Sequence, residues 1–124
     1  MTKFLCVGLG GALGAVFRYL ISMIPWKGDF PVLTLFTNLA GALLIGVVVG
    51  AAASGRDIDS SAVLFWKTGV CGGFTTFSTF SLEILQLMER GHKASAGVYM
   101  LLSVAGCVAG VWLGKRLAGA LFCP

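Results

Sequence analysis

The run CGGFTTFSTFS, residues 71–81, decides how this chain has to fold. It places two glycines, five hydroxyl side chains and three phenylalanines in one short stretch of a sequence that is otherwise mostly apolar. Gly72 and Gly73, followed by the β-branched pair Thr75 and Thr76, make a poor continuous helix: glycine loses the most backbone freedom on folding, and β-branched residues lose χ1 freedom. At membrane depth an interrupted helix is tolerated only where its freed backbone groups are buried in protein or face a cavity. If the surrounding sequence spans a bilayer, the run is a buried helix break.

The surrounding sequence does read as membrane-spanning. Of 124 residues, 57% are hydrophobic and 11% charged, and the mean hydropathy is +0.93. A transmembrane helix needs about 20 mostly apolar residues. Four stretches qualify, about 4–24, 33–53, 62–88 and 95–122, and the run lies in the third. The first carries Arg18 and is too long for the apolar core of a signal peptide, so it reads as retained. The connections PWKGDFP, SGRDIDSS and ERGHKA are turn chemistry, too short for a soluble domain. The expected fold is therefore an all-α integral membrane protein: one transmembrane domain over 1–124, four helices, the third broken, and both termini on one side.

The net charge of +4 does not indicate nucleic acid, because the basic residues are scattered and form no stripe interleaved with aromatics. Sorted by side, Lys3, Arg56, Lys67, Lys115 and Arg116 oppose Arg18, Lys27, Arg90 and Lys93. Five against four is almost no bias, and an excess of Lys and Arg in cytoplasmic loops is what sets orientation. Insertion both ways, with the two orientations pairing as an antiparallel homodimer, follows as a hypothesis. Gly10 and Gly14, Gly46 and Gly50, and Gly106, Gly110 and Gly114 form small-residue ridges that let helices approach closely and favour oligomers. Trp26, Trp66 and Trp112 suit interfacial anchoring in membrane lipid. Cys6, Cys71, Cys107 and Cys123 have no metal-site spacing and read as apolar packing residues. His92, the lone histidine, reads as a solvated turn residue.

Polar groups inside a bilayer each need a partner or a function. Arg18 either snorkels to the headgroups or makes an electropositive vestibule for anions. Asn38, near Thr34 and Thr37, is either interhelical glue or a donor to an anion. Glu83 is interfacial if the third span ends early, and otherwise needs a hydroxyl, a cation or an ion beside it. Beyond the break, helical periodicity sets Phe77 and Phe80 on one ridge and Thr76 and Thr79 on the next. Hydroxyls can replace water around an ion, and exposed carbonyls at the break can hold a cation. Ring faces attract cations and ring edges meet anions, so the residues alone leave the sign of the ion open. The alternative is plain packing, with the hydroxyls bonded to carbonyls one turn back. Catalysis lacks support: the single His is remote from the hydroxyls, and there is no nucleophile elbow, phosphate loop or dinucleotide fingerprint.

GGALGAVFRY (10–19), TLFTNLAG (34–41) and GVCGGFTTFSTFS (69–81) resemble the three signature segments of the CrcB/Fluc fluoride channels, and the resemblance extends over all four spans in length and order. It implies a dual-topology homodimer in the bacterial plasma membrane, with a broken third helix and two separate pores that export fluoride passively. Phe77 and Phe80 match the pore-lining phenylalanines. Asn38 matches the amide that coordinates fluoride or positions those rings, and Arg18 the vestibule arginine. Gly72 and Thr75 match the positions whose backbone carbonyls hold a structural Na+ between subunits. Thr34, Ser78, Thr79, Glu83, Tyr99 and Ser103 fall where the family has polar groups along the ion path. Leu33 and Cys107 depart from the pattern, the latter replacing an expected serine with a weaker donor.

Two other classes remain in view. A small four-span drug exporter needs an acid in its first span, and this one carries Arg18 instead. A non-transporting membrane subunit would explain the glycine ridges, though not the hydroxyl-rich break.

Overall fold

The computed structural model describes residues 1–54 and 58–122. Arg56 and Cys123, which enter the charge and cysteine readings, lie outside the described residues. In chain order the elements are α1 (Thr2–Ser22), α2 (Val32–Ala52), α3 (Ser60–Leu64), a π-helical segment (Phe65–Cys71), α4 (Gly72–Phe74), α5 (Phe77–Glu89) and α6 (Lys93–Phe122). All elements among the described residues are helical. Three of them, α1, α2 and α6, are long and apolar enough to cross a membrane. The third expected span is not among these three, because Thr75 and Thr76 are extended (ψ 156° and 117°) and divide it. Each piece is shorter than a bilayer requires of one helix.

Helices pair along their small residues. α2 lies along α6, and α1 lies along the 60–74 segment. A Cβ at Gly14 would collide with the Val70 carbonyl, one at Gly73 with the Gly11 carbonyl, and one at Gly46 with the Val111 carbonyl. These backbones are in direct contact, as small-residue ridges permit and larger side chains would prevent. Outward-facing apolar residues such as Leu5, Leu9, Val16, Leu101, Val108 and Leu121 are more than half exposed, as befits side chains whose solvent is lipid.

Two junctions fix the ends. α5 terminates in a C-cap in which Gly91 adopts φ +82°, while the Gly91 and His92 amides donate to the Met88 and Leu87 carbonyls at 3.0 and 2.8 Å. Only glycine takes that backbone conformation cheaply. Arg90 then lies 3.9 Å from Asp29, so the α1–α2 and α5–α6 connections share one end of the molecule. At the other end, Ile58, Trp66 and Phe122 line one cleft.

Candidate ion pathway

Asn38 clamps the break from α2. Thr76 N–H donates to Asn38 Oδ1 at 2.8 Å, and Asn38 Nδ2 donates to the Thr76 carbonyl at 3.2 Å. The Asn38 amide of α2 thus pairs with both backbone groups of Thr76, and leaving such a buried group unpaired would cost about 1–3 kcal/mol. Thr76 also starts the next helix, its Oγ1 accepting from the Thr79 amide at 3.2 Å, which satisfies one of the four orphan N–H groups of α5. Thr79 Oγ1 and Ser78 Oγ lie 3.1 and 3.3 Å from the same Thr76 oxygen. Thr75 bonds back to the Cys71 carbonyl through its amide (3.0 Å) and its hydroxyl (2.9 Å). The hydroxyls of the run therefore divide: Thr75 Oγ1 and Ser81 Oγ bond back one turn, whereas Thr76, Ser78 and Thr79 cluster with one another.

Aromatic rings continue the line. Phe77 and Phe80 have centroids 5.4 Å apart, and Phe80 meets Tyr99 edge-on at 5.1 Å. Their exposures differ sharply: Phe80 is 6% exposed in a cluster with Leu87, Ala96 and Tyr99, while Phe77 is 78% exposed. Tyr99 is fully buried, and its hydroxyl donates to Glu83 Oε2 at 2.7 Å. Thr34 Oγ1 donates to Glu83 Oε1 at the same distance. The carboxylate thus has one hydroxyl donor on each oxygen, drawn from two other helices, which is the environment an intramembrane acid requires.

Three spaces surround these residues. A groove of about 450 Å³ is lined by Asn38, Gly72, Thr75, Phe77, Phe80 and Ser103, among others, with Cys107 also on its wall. Ser103 Oγ is buried and has no partner among the described residues. A small space of about 50 Å³ gathers Arg18, Thr34, Thr37, Thr76 and Thr79, and Arg18 Nε donates to the Gly73 carbonyl at 3.3 Å. The third, about 220 Å³, opens at the connection end and is lined by Thr34, Glu83, Arg90 and Asp29.

The expected site residues thus fall into connected groups: Asn38, Ser78, Thr79 and Arg18 around the break, and Thr34, Glu83, Tyr99 and Phe80 beyond it. Ser103, Gly72 and Thr75 share the large groove with both phenylalanines. Arg18 bonds to the backbone just before the break. The sequence set Thr76 on the hydroxyl ridge with Thr79 but did not single it out as the start of α5 or as the partner of Asn38. Its signal was available: a threonine directly before a helical F-S-T-F run is a helix start. Thr37, only 2% exposed, bonds back to the Leu33 and Thr34 carbonyls and lines the small space beside Arg18.

A family profile described as "CrcB-like protein, Camphor Resistance (CrcB)" matches residues 5–115. The chain belongs to the CrcB family. It is 47% identical to the "Fluoride-specific ion channel FluC" of Nitrobacter winogradskyi over 89% of this chain and 93% of that one. It is 42% identical to the protein of the same description from Methanococcus maripaludis, over 98% and 99%, and to that of Clostridium perfringens strain 13, over 95% and 94%. This CrcB-family chain, with three helices able to cross a bilayer, is a multi-pass membrane protein.

Proposed function

We infer that the chain is a fluoride channel of the plasma membrane that lets cytoplasmic fluoride leave passively, down its electrochemical gradient, and so confers fluoride resistance. One observation carries the reading: a helix break clamped by an amide, with the buried Phe80 ring and a hydroxyl that has no partner among the described residues on the same groove, in a chain similar to channels named for fluoride. Fluoride is small and strongly hydrated, so a pore must replace its water with many short-range donors. Ring edges of Phe77 and Phe80, the hydroxyls of Ser78, Thr79, Ser103, Thr34 and Tyr99, and the Asn38 amide are such donors. Asn38 acts first as the clamp of the break, so its influence on the ion runs largely through the position of the rings. Arg18 supplies positive potential near the break. Glu83, already holding two hydroxyls, is a point where donors can exchange between carboxylate and passing anion.

The remaining features belong to the assembly. An antiparallel homodimer of four-span subunits, with the broken third helix in each, agrees with the even charge balance. Gly72 and Thr75 line the open groove, and their carbonyl oxygens suit a hard cation such as Na+. Two oxygens leave such an ion's shell incomplete, and the same pair from a second copy across a two-fold axis would double them. A transporter, not an enzyme, is the class that this arrangement serves.

The deciding measurement is efflux from proteoliposomes: purified protein should release fluoride and retain chloride. Release of both ions alike, or of neither, would overturn the reading. A proton-coupled drug current would instead indicate the exporter class.

A further inference from the structure

We propose that Arg90 and Asp29 form an opposed pair of charges that sets how readily anions enter the pathway at the connection end of the molecule. The inference rests on the fluoride reading above. Its ground is the space of about 220 Å³ at that end, which Thr34 and Glu83 line on the inner side and Arg90 and Asp29 on the outer. Thr34 and Leu33 also border the smaller space that holds Arg18, Thr76 and Thr79, so the polar groups run in sequence from the break to this mouth.

The mouth has an electrostatic difficulty. Glu83 carries a carboxylate on the path of an anion, and its two hydroxyl donors are neutral. Arg90 is the positive group lining the same space, held at 3.9 Å from Asp29 with the two side chains 60% and 66% exposed. At that distance and exposure the pair contributes little to stability. Its charges still act on an ion in the mouth, because fixed charges at an entrance change the local ion concentration and the entry rate. Arg90 raises anion occupancy, and Asp29 holds that gain in check. Lys27, His92 and Lys93 lie on the same connections but do not line this space.

A merely structural ion pair predicts that losing either partner does the same harm. Charge tuning predicts opposite signs. In proteoliposome efflux at fluoride well below saturation and about 0.01 M ionic strength, where charges act over about 30 Å, Arg90→Gln should slow efflux about two- to five-fold and Asp29→Asn should speed it by a similar factor. At about 1 M salt, where screening sets in within about 3 Å, both variants should converge on the parent rate. The double variant, neutral like the intact pair, should lie close to the parent at both salt levels. Size-exclusion chromatography should give the same assembly for all four proteins. Same-sign effects, effects that salt does not reduce, or parental rates in both single variants would overturn the proposal while leaving the fluoride reading intact. A parent protein that releases no fluoride would overturn both.

Discussion

Phe77 and Phe80 sit three residues apart with their rings in contact, yet substitution removes different things from each. Phe80 is packed against Tyr99 and Leu87 inside the chain, so Phe80→Ile leaves space in the core and should cost about 1–3 kcal/mol of stability in addition to flux. Phe77 stands 78% exposed, so Phe77→Ile should change the stability of the single chain by no more than about 0.5 kcal/mol. If its ring edge meets the ion, fluoride efflux from that variant should nonetheless fall at least about ten-fold, because a transport site loses the interaction with each passing ion. Denaturant titration in detergent beside efflux from liposomes separates the two effects. Full flux in Phe77→Ile would mean that the ring does not meet the ion. Asn38 teaches the same lesson from the other direction. The sequence left it open between glue and ion ligand, and both of its amide atoms turn out to be engaged with one backbone unit, Thr76.

At the level of elements, the contact between α1 and the 60–74 segment depends on the absence of side chains. Gly14 faces the Val70 carbonyl with no room for a methyl group, whereas Gly8, on the same helix, has nothing within 4 Å of a built Cβ. Gly14→Ala should therefore force the helices apart and cost about 1–3 kcal/mol. Gly8→Ala should be neutral or stabilise by up to about 1 kcal/mol through helix propensity. Thermal unfolding in detergent compares them directly, and equal effects would mean that the ridge is not a packing device. How far the elements could be read from sequence follows the same physics. Helices α1, α2 and α6 begin and end within about two residues of the expected spans, since a long apolar run bounded by Pro, Gly and charge has few ways to fold in lipid. The break was legible as a region but not as a residue. The glycine pair drew attention, yet Gly72 and Gly73 are helical, and the extended residues are the threonines that follow. A partner from α2 decides that position, and local propensity does not contain it. The π-helical turn at Phe65–Cys71 had no sequence signal at all. Glu83 could be placed in a span, but its two hydroxyl partners lie 49 and 16 residues away in the chain, a separation no local pattern spans.

For the whole molecule, the connections joined through Asp29 and Arg90 lie at one end, and this gives the charge count a physical meaning. Arg18, Lys27, Arg90 and Lys93 belong to that end of the sequence pattern, against Lys3, Arg56, Lys67, Lys115 and Arg116. So small a difference is what the proposed antiparallel dimer needs, since it requires both orientations in equal supply. Lys27→Gln with Lys93→Gln leaves Arg18 and Arg90 facing five basic residues, a bias large enough to direct insertion. A single reporter thiol, His92→Cys in a background with Cys6, Cys71, Cys107 and Cys123 changed to Ser, should be labelled from both faces of the membrane in the otherwise parental chain. In the biased chain it should be labelled from the outer face alone. Fluoride efflux should then vanish, since copies of one orientation cannot pair antiparallel. Co-expression with a chain biased the other way, through Lys3→Gln, Lys115→Gln and Arg116→Gln, should restore it. Labelling of the parental reporter from one face only would end the dual-topology reading, and with it the two-fold arrangement that brings the carbonyls of Gly72 and Thr75 together with their copies.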